Sequence, residues 1–467
     1  MPTTSRKIQI WYCIAILVFG LSATVSAQTQ PFLQDIQVVK TEAPLPSSKP
    51  LVKKTSSVDV VTPTVSSYSP IVTTIPMLEN FSIPGYSGIL VETLDGEKVV
   101  ESGSNLPYNP ASNAKVATTY AVIKTFGPNY RFATSVWTDG SWEAETGTIH
   151  GNLYVSGRDP VFGFEHGVAL AHELNRMGIR SIQGDLVVTD NFAMNYTNSA
   201  ATSSKSLFAT FDAAKRSAAA NRNWQNFLIN SGKLSQTTAA VPSVTFTGSV
   251  YVSSMPSNAK LIFSHESAPM REIVKAMMCY SNNFLAERLG DLVGGPFAVS
   301  RIVQQNTGVQ PAEFYLATSS GLGINRVTPS AMMKLLRVLR NDLARYRMTF
   351  ADVMPVAGID KGTLEGRFDS DFSVGSVVGK TGTLGNTDGG VSALAGEVNT
   401  RGGRLLFVIF NQRGSVARFR SFQNLYVSTI QGQFGGAAPI SYSPISLDYR
   451  LSKTKFSYPA GSSVGTE

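Results

Sequence analysis

Cysteine is nearly absent: the 467 residues hold two, Cys13 and Cys279. Histidine is scarce at four, charged residues make up 15% against a usual ~25%, and no run of five or more Lys/Arg occurs. Each scarcity excludes something. His150, His166, His172 and His265 form no ligand-spaced cluster. His172-Glu173 lacks the second histidine of a zinc-peptidase motif because position 176 is arginine, so no metal and no cofactor is expected. A net charge of +8 without basic runs argues against nucleic acid as a partner. The apolar stretch from Ile8 to Leu21 falls short of the ~20 residues of a membrane span, so at most peripheral membrane contact is expected.

What is present points outward from the cytoplasm. Arg6 and Lys7 precede the apolar stretch, and Val25-Ser26-Ala27 supplies small residues before a cut ahead of Gln28. This is the layout of a secretory signal peptide over 1–27, and it predicts a secreted protein of the periplasm or cell envelope. Cleavage lowers the net charge from +8 to +6 and removes Cys13. Cys279 is then alone, and no intrachain disulfide is possible. Residues 28–76 contain no glycine but 7 Pro and 14 Ser/Thr, which predicts a disordered linker. The 43% of apolar residues excludes a wholly disordered chain, and the length allows two or three domains. Gly461-Ser462-Ser463-Val464-Gly465 fits a nucleophile elbow, but too little chain follows it to supply the partners, and it reads as tail.

Periodicity gives the organisation. Residues 88–94 and 97–100 around Asp95-Gly96 predict a hairpin with a two-residue turn. A helix is expected over 110–126, with Asn109 as cap and Pro110 at the first helical position. Between 140 and 255, strands at 148–155, 184–188 and 244–252 alternate with helices at 168–176 and 224–233, around a polar stretch that runs to 221. Helical periods return at 270–279, 283–293 and 328–343. Strands follow at 376–384, 391–398 and 405–411, then a helix at 416–434. The expected fold class is α/β (α+β): an antiparallel sheet completed by both ends of the chain and flanked by helices, with an inserted smaller α/β module. The expected divisions are a discontinuous catalytic domain, 77–139 and 256–434, the module at 140–255, and a tail at 435–467.

Three short motifs occur in order. Ser112-Asn113-Ala114-Lys115 sits at the start of the first helix, where the Ser112 N–H lacks an intrahelical partner and can face an oxyanion. Lys115 lies three residues on, on the same face. Ser281-Asn282-Asn283 follows 169 residues later between two helices, and Lys380-Thr381-Gly382 a further 99 on, within a strand. The Ser-x-x-Lys spacing at Ser257–Lys260 and Ser452–Lys455 has no such partners and reads as chance.

This set resembles the motifs of penicillin-interacting serine enzymes. It is most similar to the class C low-molecular-mass penicillin-binding proteins, D-alanyl-D-alanine carboxypeptidases and endopeptidases. The likeness runs from about 77 to 434 and includes Gly157-Arg158-Asp159-Pro160, Phe284-Leu285-Ala286-Glu287 and Thr383-Leu384. The chain departs from the family pattern at Asn282, at Thr318, Ser319 and Gly323, and in a short insertion. Tyr280-Ser281-Asn282 also spells the Tyr-x-Asn variant of related enzymes.

The resemblance implies a serine β-lactamase/D-Ala carboxypeptidase-like fold that acts on peptidoglycan stem peptides and is acylated by β-lactams as covalent inhibitors. It implies Ser112 as nucleophile, Lys115 as base, Ser281 as proton relay, and Asn283 and Lys380 as their partners. Lys380 and Thr381 would take the terminal carboxylate, and the Thr383 N–H would be the second oxyanion donor. Gly382 would leave room for a peptide beside the strand, and Asp159 would grip the stem peptide's side-chain amine. A cation about 4 Å from Lys115 would disfavour its ammonium by ~4 kcal/mol at an effective dielectric of 20, or ~3 pKa units. Two alternatives stay open: a secreted serine β-lactamase, and a wall-binding protein without catalysis.

Overall fold

In the computed structural model, which describes residues 71–79, 81–233 and 241–460, the apolar run near residue 90 forms β1 (Tyr86–Thr93) and folds back into β2 (Lys98–Ser102). The expected signal peptide, most of the linker and the 461–465 motif lie outside these residues. The hairpin loop has three residues rather than two. The Thr93 N–H donates to Glu97 O (2.9 Å) and the Gly96 N–H to Thr93 O (3.1 Å). Gly96 takes φ +102, which glycine adopts without a Cβ clash. The register slips between Val91 and Glu92, a bulge that absorbs the extra loop residue.

The first helix begins more tightly than its sequence predicts. Ala111–Asn113 form a 3₁₀ turn that leads into α1 (Ala114–Phe126), and Pro110 precedes the turn instead of opening the helix. The Asn109 carboxamide oxygen accepts from the Ala111 N–H (3.0 Å).

The middle of the chain builds β3 (Ala133–Thr138), β4 (Leu153–Gly157), α2 (Phe164–Arg176), β5 (Leu186–Val188), α3 (Ala200–Phe211), α4 (Ala218–Ser231), β6 (Val250–Val252) and β7 (Lys260–Glu266). The strand expected over 148–155 divides at Gly151: Thr148–His150 joins a small four-stranded sheet and β4 a larger one. The expected polar stretch contains α3. Ser199 caps it by accepting from the Thr202 N–H (3.1 Å), and buried Leu207 and Phe211, one helical turn apart, hold it down. Two apolar anchors among Ser, Thr and Ala make a faint periodic signal.

Helices α5 (Met270–Tyr280), α6 (Asn283–Leu292), α7 (Pro296–Thr307) and α8 (Pro329–Arg345) follow. The sequence reading missed α7, which buries only Val299, Ser300 and Val303. The chain then forms β8 (Val377–Leu384), β9 (Val391–Thr400) and β10 (Gly403–Gln412), followed by α9 (Val416–Gln433), α10 (Leu447–Leu451) and β11 (Lys455–Ser457).

The first sheet brings the earliest described strands beside those of residues 377–412, in the order Val72–Thr73, β2, β1, β10, β9, β8, with every neighbour antiparallel. One large core holds α1, α5, α6 and α8 together with residues of β9 and β10. A second holds Phe422, Tyr426 and Ile430 of α9 against the other face of these strands. The second six-stranded sheet runs β6, β5, β4, β3, β7, β11 and has its own core of Val155, Leu170, Leu186, Phe211 and Phe263. β3, β7 and β11 all belong to this sheet, so it takes in residues 133–138, 260–266 and 455–457 from outside 140–255. Residues 435–460 are packed rather than loose: β11 pairs antiparallel with β7, and Arg450 forms a buried ion pair with Glu272 of α5 (2.8 Å). Among the described residues no helix is long and apolar enough to cross a membrane.

Candidate active site

The short 3₁₀ turn and α1 place Ser112 and Lys115 together, with Lys115 Nζ 3.0 Å from Ser112 Oγ. Ala111 has φ +46, an unfavourable conformation for a residue with a Cβ. It is held by Gly321, where an added Cβ would run into the Ala111 carbonyl oxygen. Lys115 is fully buried. Its ammonium also donates to Asn283 Oδ1 (2.7 Å) and to the Ser320 carbonyl oxygen (2.7 Å).

The second motif spans the junction of α5 and α6. Ser281 closes α5 in the left-handed region at φ +54, and the Asn282 side chain caps α6 by accepting from the Leu285 N–H (3.0 Å). This break turns Ser281 and Asn283 toward different lysines. Ser281 Oγ accepts from Lys380 Nζ (2.9 Å), and Asn283 meets Lys115. Tyr280 is half exposed, and Asn282 serves the cap. Just before Ser281, Cys279 is buried, and burial pushes its thiol up to about 12.

The third motif lies on β8, the terminal strand of the first sheet. Its outer side pairs with Val356 at Val378, and the Gly379 N–H donates to Pro355 O (3.2 Å). From Lys380 onward no strand among the described residues covers that side. Lys380 is fully buried and also donates to Thr381 O (2.8 Å). Thr383 Oγ1 accepts from Arg420 of α9 (2.9 Å). At Gly382 the structure gives a further reason for glycine. An added Cβ would meet Pro110 O at 2.6 Å and Asn113 Nδ2 at 3.0 Å, so the glycine lets the 3₁₀ turn approach the sheet.

Burial, first, and the neighbouring Lys380, second, hold the Lys115 amine well below the usual lysine range, while Glu287 pulls it up. The sequence reading gave that work to the cation alone. Desolvation leads because the ammonium is wholly removed from water. Burial likewise lowers Lys380 to about 7.

Asp159 stands apart from these motifs, on the connection from β4 to α2. It is 2% exposed. Its Oδ1 accepts from the Val161 N–H (3.0 Å), and its Oδ2 has no protein partner. Burial raises its carboxyl to about 6. The nearest link to the other motifs is Tyr196, whose hydroxyl feels Asp159 electrostatically and whose ring packs edge-on to Phe284, next to Asn283. Sequence reasoning missed the Ser320 carbonyl and Arg420. A backbone carbonyl leaves no mark in a sequence, and Arg420 lies on a helix with no motif.

Fold and site together define the class: a serine β-lactamase/D-Ala carboxypeptidase-like protein. The family model of D-Ala-D-Ala carboxypeptidase 3 (S13) matches residues 83–241 and 231–424. The chain belongs to that family of serine peptidases. D-alanyl-D-alanine carboxypeptidase DacB of Haemophilus influenzae is 32% identical over 183 residues, 36% of each chain. The D-alanyl-D-alanine carboxypeptidase of an Actinomadura species is 26% identical over 435 residues, covering 72% of this chain and 79% of that one. Among solved structures, a predatory peptidoglycan endopeptidase of Bdellovibrio bacteriovorus shares the fold at TM-score 0.64 and 22% identity, over 79% of this chain and 99% of its own. Penicillin binding protein 4 of H. influenzae, complexed with a β-lactam, does so at 0.56 and 22%, over 76% and 98%.

Proposed function

We propose that the chain is a D-alanyl-D-alanine carboxypeptidase and endopeptidase, exported to the cell envelope, that cleaves peptidoglycan stem peptides through an acyl-enzyme on Ser112. One observation carries this most: Ser112 Oγ, Lys115 Nζ and Asn283 Oδ1 form one hydrogen-bonded chain, with Lys380 and Ser281 joined beside it. A buried lysine with a lowered pKa is a usable base at neutral pH.

The carbonyl of the D-Ala-D-Ala bond would sit between the N–H groups of Ser112 and Thr383. Lys115 takes the Ser112 proton as Oγ attacks. The tetrahedral intermediate then expels the terminal amine, which receives that proton from Lys115 through Ser281. Water, activated by Lys115, repeats the cycle on the ester and frees Ser112. Lys380, Thr381 and Arg420 would receive the terminal carboxylate, and the open edge of β8 would hold the peptide as an added strand. Buried Asp159 would pair with a side-chain amine of the stem. The part of the second sheet within 133–266 is the inserted module in this reading.

A β-lactam offers the same carbonyl in a ring whose leaving amine stays attached. One structural neighbour from Bdellovibrio was solved penicillin G-acylated. Intact mass spectrometry after penicillin G treatment tests the reading: wild type gains one penicilloyl mass and Ser112→Ala none. Labelling of Ser112→Ala would exclude this nucleophile. Rapid, repeated nitrocefin turnover would favour a β-lactamase instead.

A further inference from the structure

Lys115 Nζ has three oxygen neighbours, and they are not equivalent. Asn283 Oδ1 and Ser320 O can only accept, whereas Ser112 Oγ can also donate. A neutral amine has two N–H bonds and one lone pair. If both pure acceptors are served, the lone pair is left facing Ser112, the one neighbour with a proton to give. After transfer the ammonium has three N–H bonds for three acceptors, so a single hydrogen moves and nothing else rearranges. The lysine's usefulness as a base therefore depends on where the Ser320 carbonyl stands.

That carbonyl is held from α6. Glu287, one turn after Asn283 on the same face, accepts the Ser319 N–H (3.1 Å) and the Ser320 N–H (2.9 Å) on its two carboxylate oxygens. Gly290, a turn further on, lets the segment come close, since an added Cβ would strike the Ser319 hydroxyl. From α1, Thr118 Oγ1 donates to Ser319 O (2.7 Å). The segment 318–323 contains the departures from the family pattern, yet its backbone is fixed on both sides.

We propose that Glu287 is a positioning residue: by gripping the Ser319 and Ser320 amides it aims the Ser320 carbonyl at Lys115 and so points the lysine lone pair at Ser112. This rests on the reading of Lys115 as the base of an acylating serine.

The test compares penicillin G acylation of the mature wild-type protein, Glu287→Gln and Gly290→Ala, across concentration and pH, with thermal unfolding as the check on folding. Glutamine leaves one of the two amides facing an NH₂ group. Acylation at saturating penicillin is expected to fall ~10²-fold, the scale of an ångström-sized misplacement, with the half-saturating concentration nearly unchanged. The rising limb of the pH profile should move to lower pH, because the charge that favours the ammonium is gone. Gly290→Ala displaces the same segment with the carboxylate intact and should slow acylation more than tenfold without that pH shift. If Glu287→Gln does not fold, Gly290→Ala decides. A folded variant that acylates within twofold of wild type, or that loses only affinity, overturns the inference. Absence of acylation in the wild type, or labelling of Ser112→Ala, would instead overturn the parent reading.

Discussion

Asp159, proposed above to pair with an amine of the stem peptide, is a side chain whose burial costs stability. Burial raises its carboxyl from the ordinary carboxylate range, about 4, to about 6. The unfolded chain therefore releases the proton first, and stability falls as pH rises from about 4 through 6. Above that the buried charge is retained at a cost of about 3 kcal/mol. Asp159→Asn is expected to raise stability by about that amount at pH 7.5 and by almost nothing at pH 4, measured by denaturant unfolding. A destabilised variant at pH 7.5 would contradict this. Lys380 has the opposite chemistry: in the proposed reaction it would have to carry its proton to attract a carboxylate, and burial lowers it to about 7. The second-order rate of penicillin acylation should decline as pH rises through that value, and Lys380→Gln should lower the rate and remove the decline. Lys115→Ala should slow acylation ~10²–10⁴-fold at every pH. At this scale the sequence was informative for the side chains of the three motifs: Ser112, Lys115, Ser281, Asn283 and Lys380 come together in the structure, whereas Arg420 was missed and Asp159 lies apart. It was silent on the Ser320 carbonyl and on the close approach of Pro110 O to residue 382, because backbone approach is a tertiary fact.

Among the elements, α10 and β11 were the least legible, read only as polar tail. They are short, and what fastens them is tertiary: Leu451 and Phe456 pack against separate cores, β11 pairs with β7, and a long-range ion pair ties α10 to α5. Arg450 and Glu272 are 2.8 Å apart with side chains 8% and 3% exposed, and Lys453 adds a second contact to the same carboxylate (3.2 Å). Removing Arg450 takes from Glu272 its shortest contact and leaves Lys453 as its partner. Arg450→Met should therefore lower stability by ~2 kcal/mol in chemical denaturation and loosen β11 from β7, which hydrogen exchange of residues 455–457 would detect as early deprotection. Unchanged exchange there would show that the strand pairing holds without the ion pair. By contrast β8, β9 and β10 were read almost to the residue, since buried strands advertise themselves as continuous apolar runs bounded by glycines. The loop of the first hairpin came out one residue longer because the Thr93 N–H closes it on Glu97 O, with Gly96 inside the loop.

For the molecule as a whole, the two large sheets keep separate apolar cores, which should let one be weakened without disabling the other. Phe211→Ala, in the core of the second sheet, should cost ~3–5 kcal/mol, yet leave the penicillin acylation rate within twofold of wild type at a temperature where the variant is folded. A proportional loss of acylation would mean that the second sheet holds the catalytic one in shape. The meeting of the strands near residue 90 with those of 377–412 in one sheet was foreseeable from the strand-like runs there, whereas the recruitment of β3, β7 and β11 to the second sheet was not, because nothing local tells which sheet a strand will join. A final consequence follows from the sealed sulfur at the end of α5. In a chain beginning at Gln28, Cys279 is the sole thiol, and it is neither accessible nor readily ionised. A cysteine introduced at an outlying position such as Phe372, 85% exposed, would then be the only group to take up a maleimide dye, giving a single-site fluorescent reporter without any background substitution.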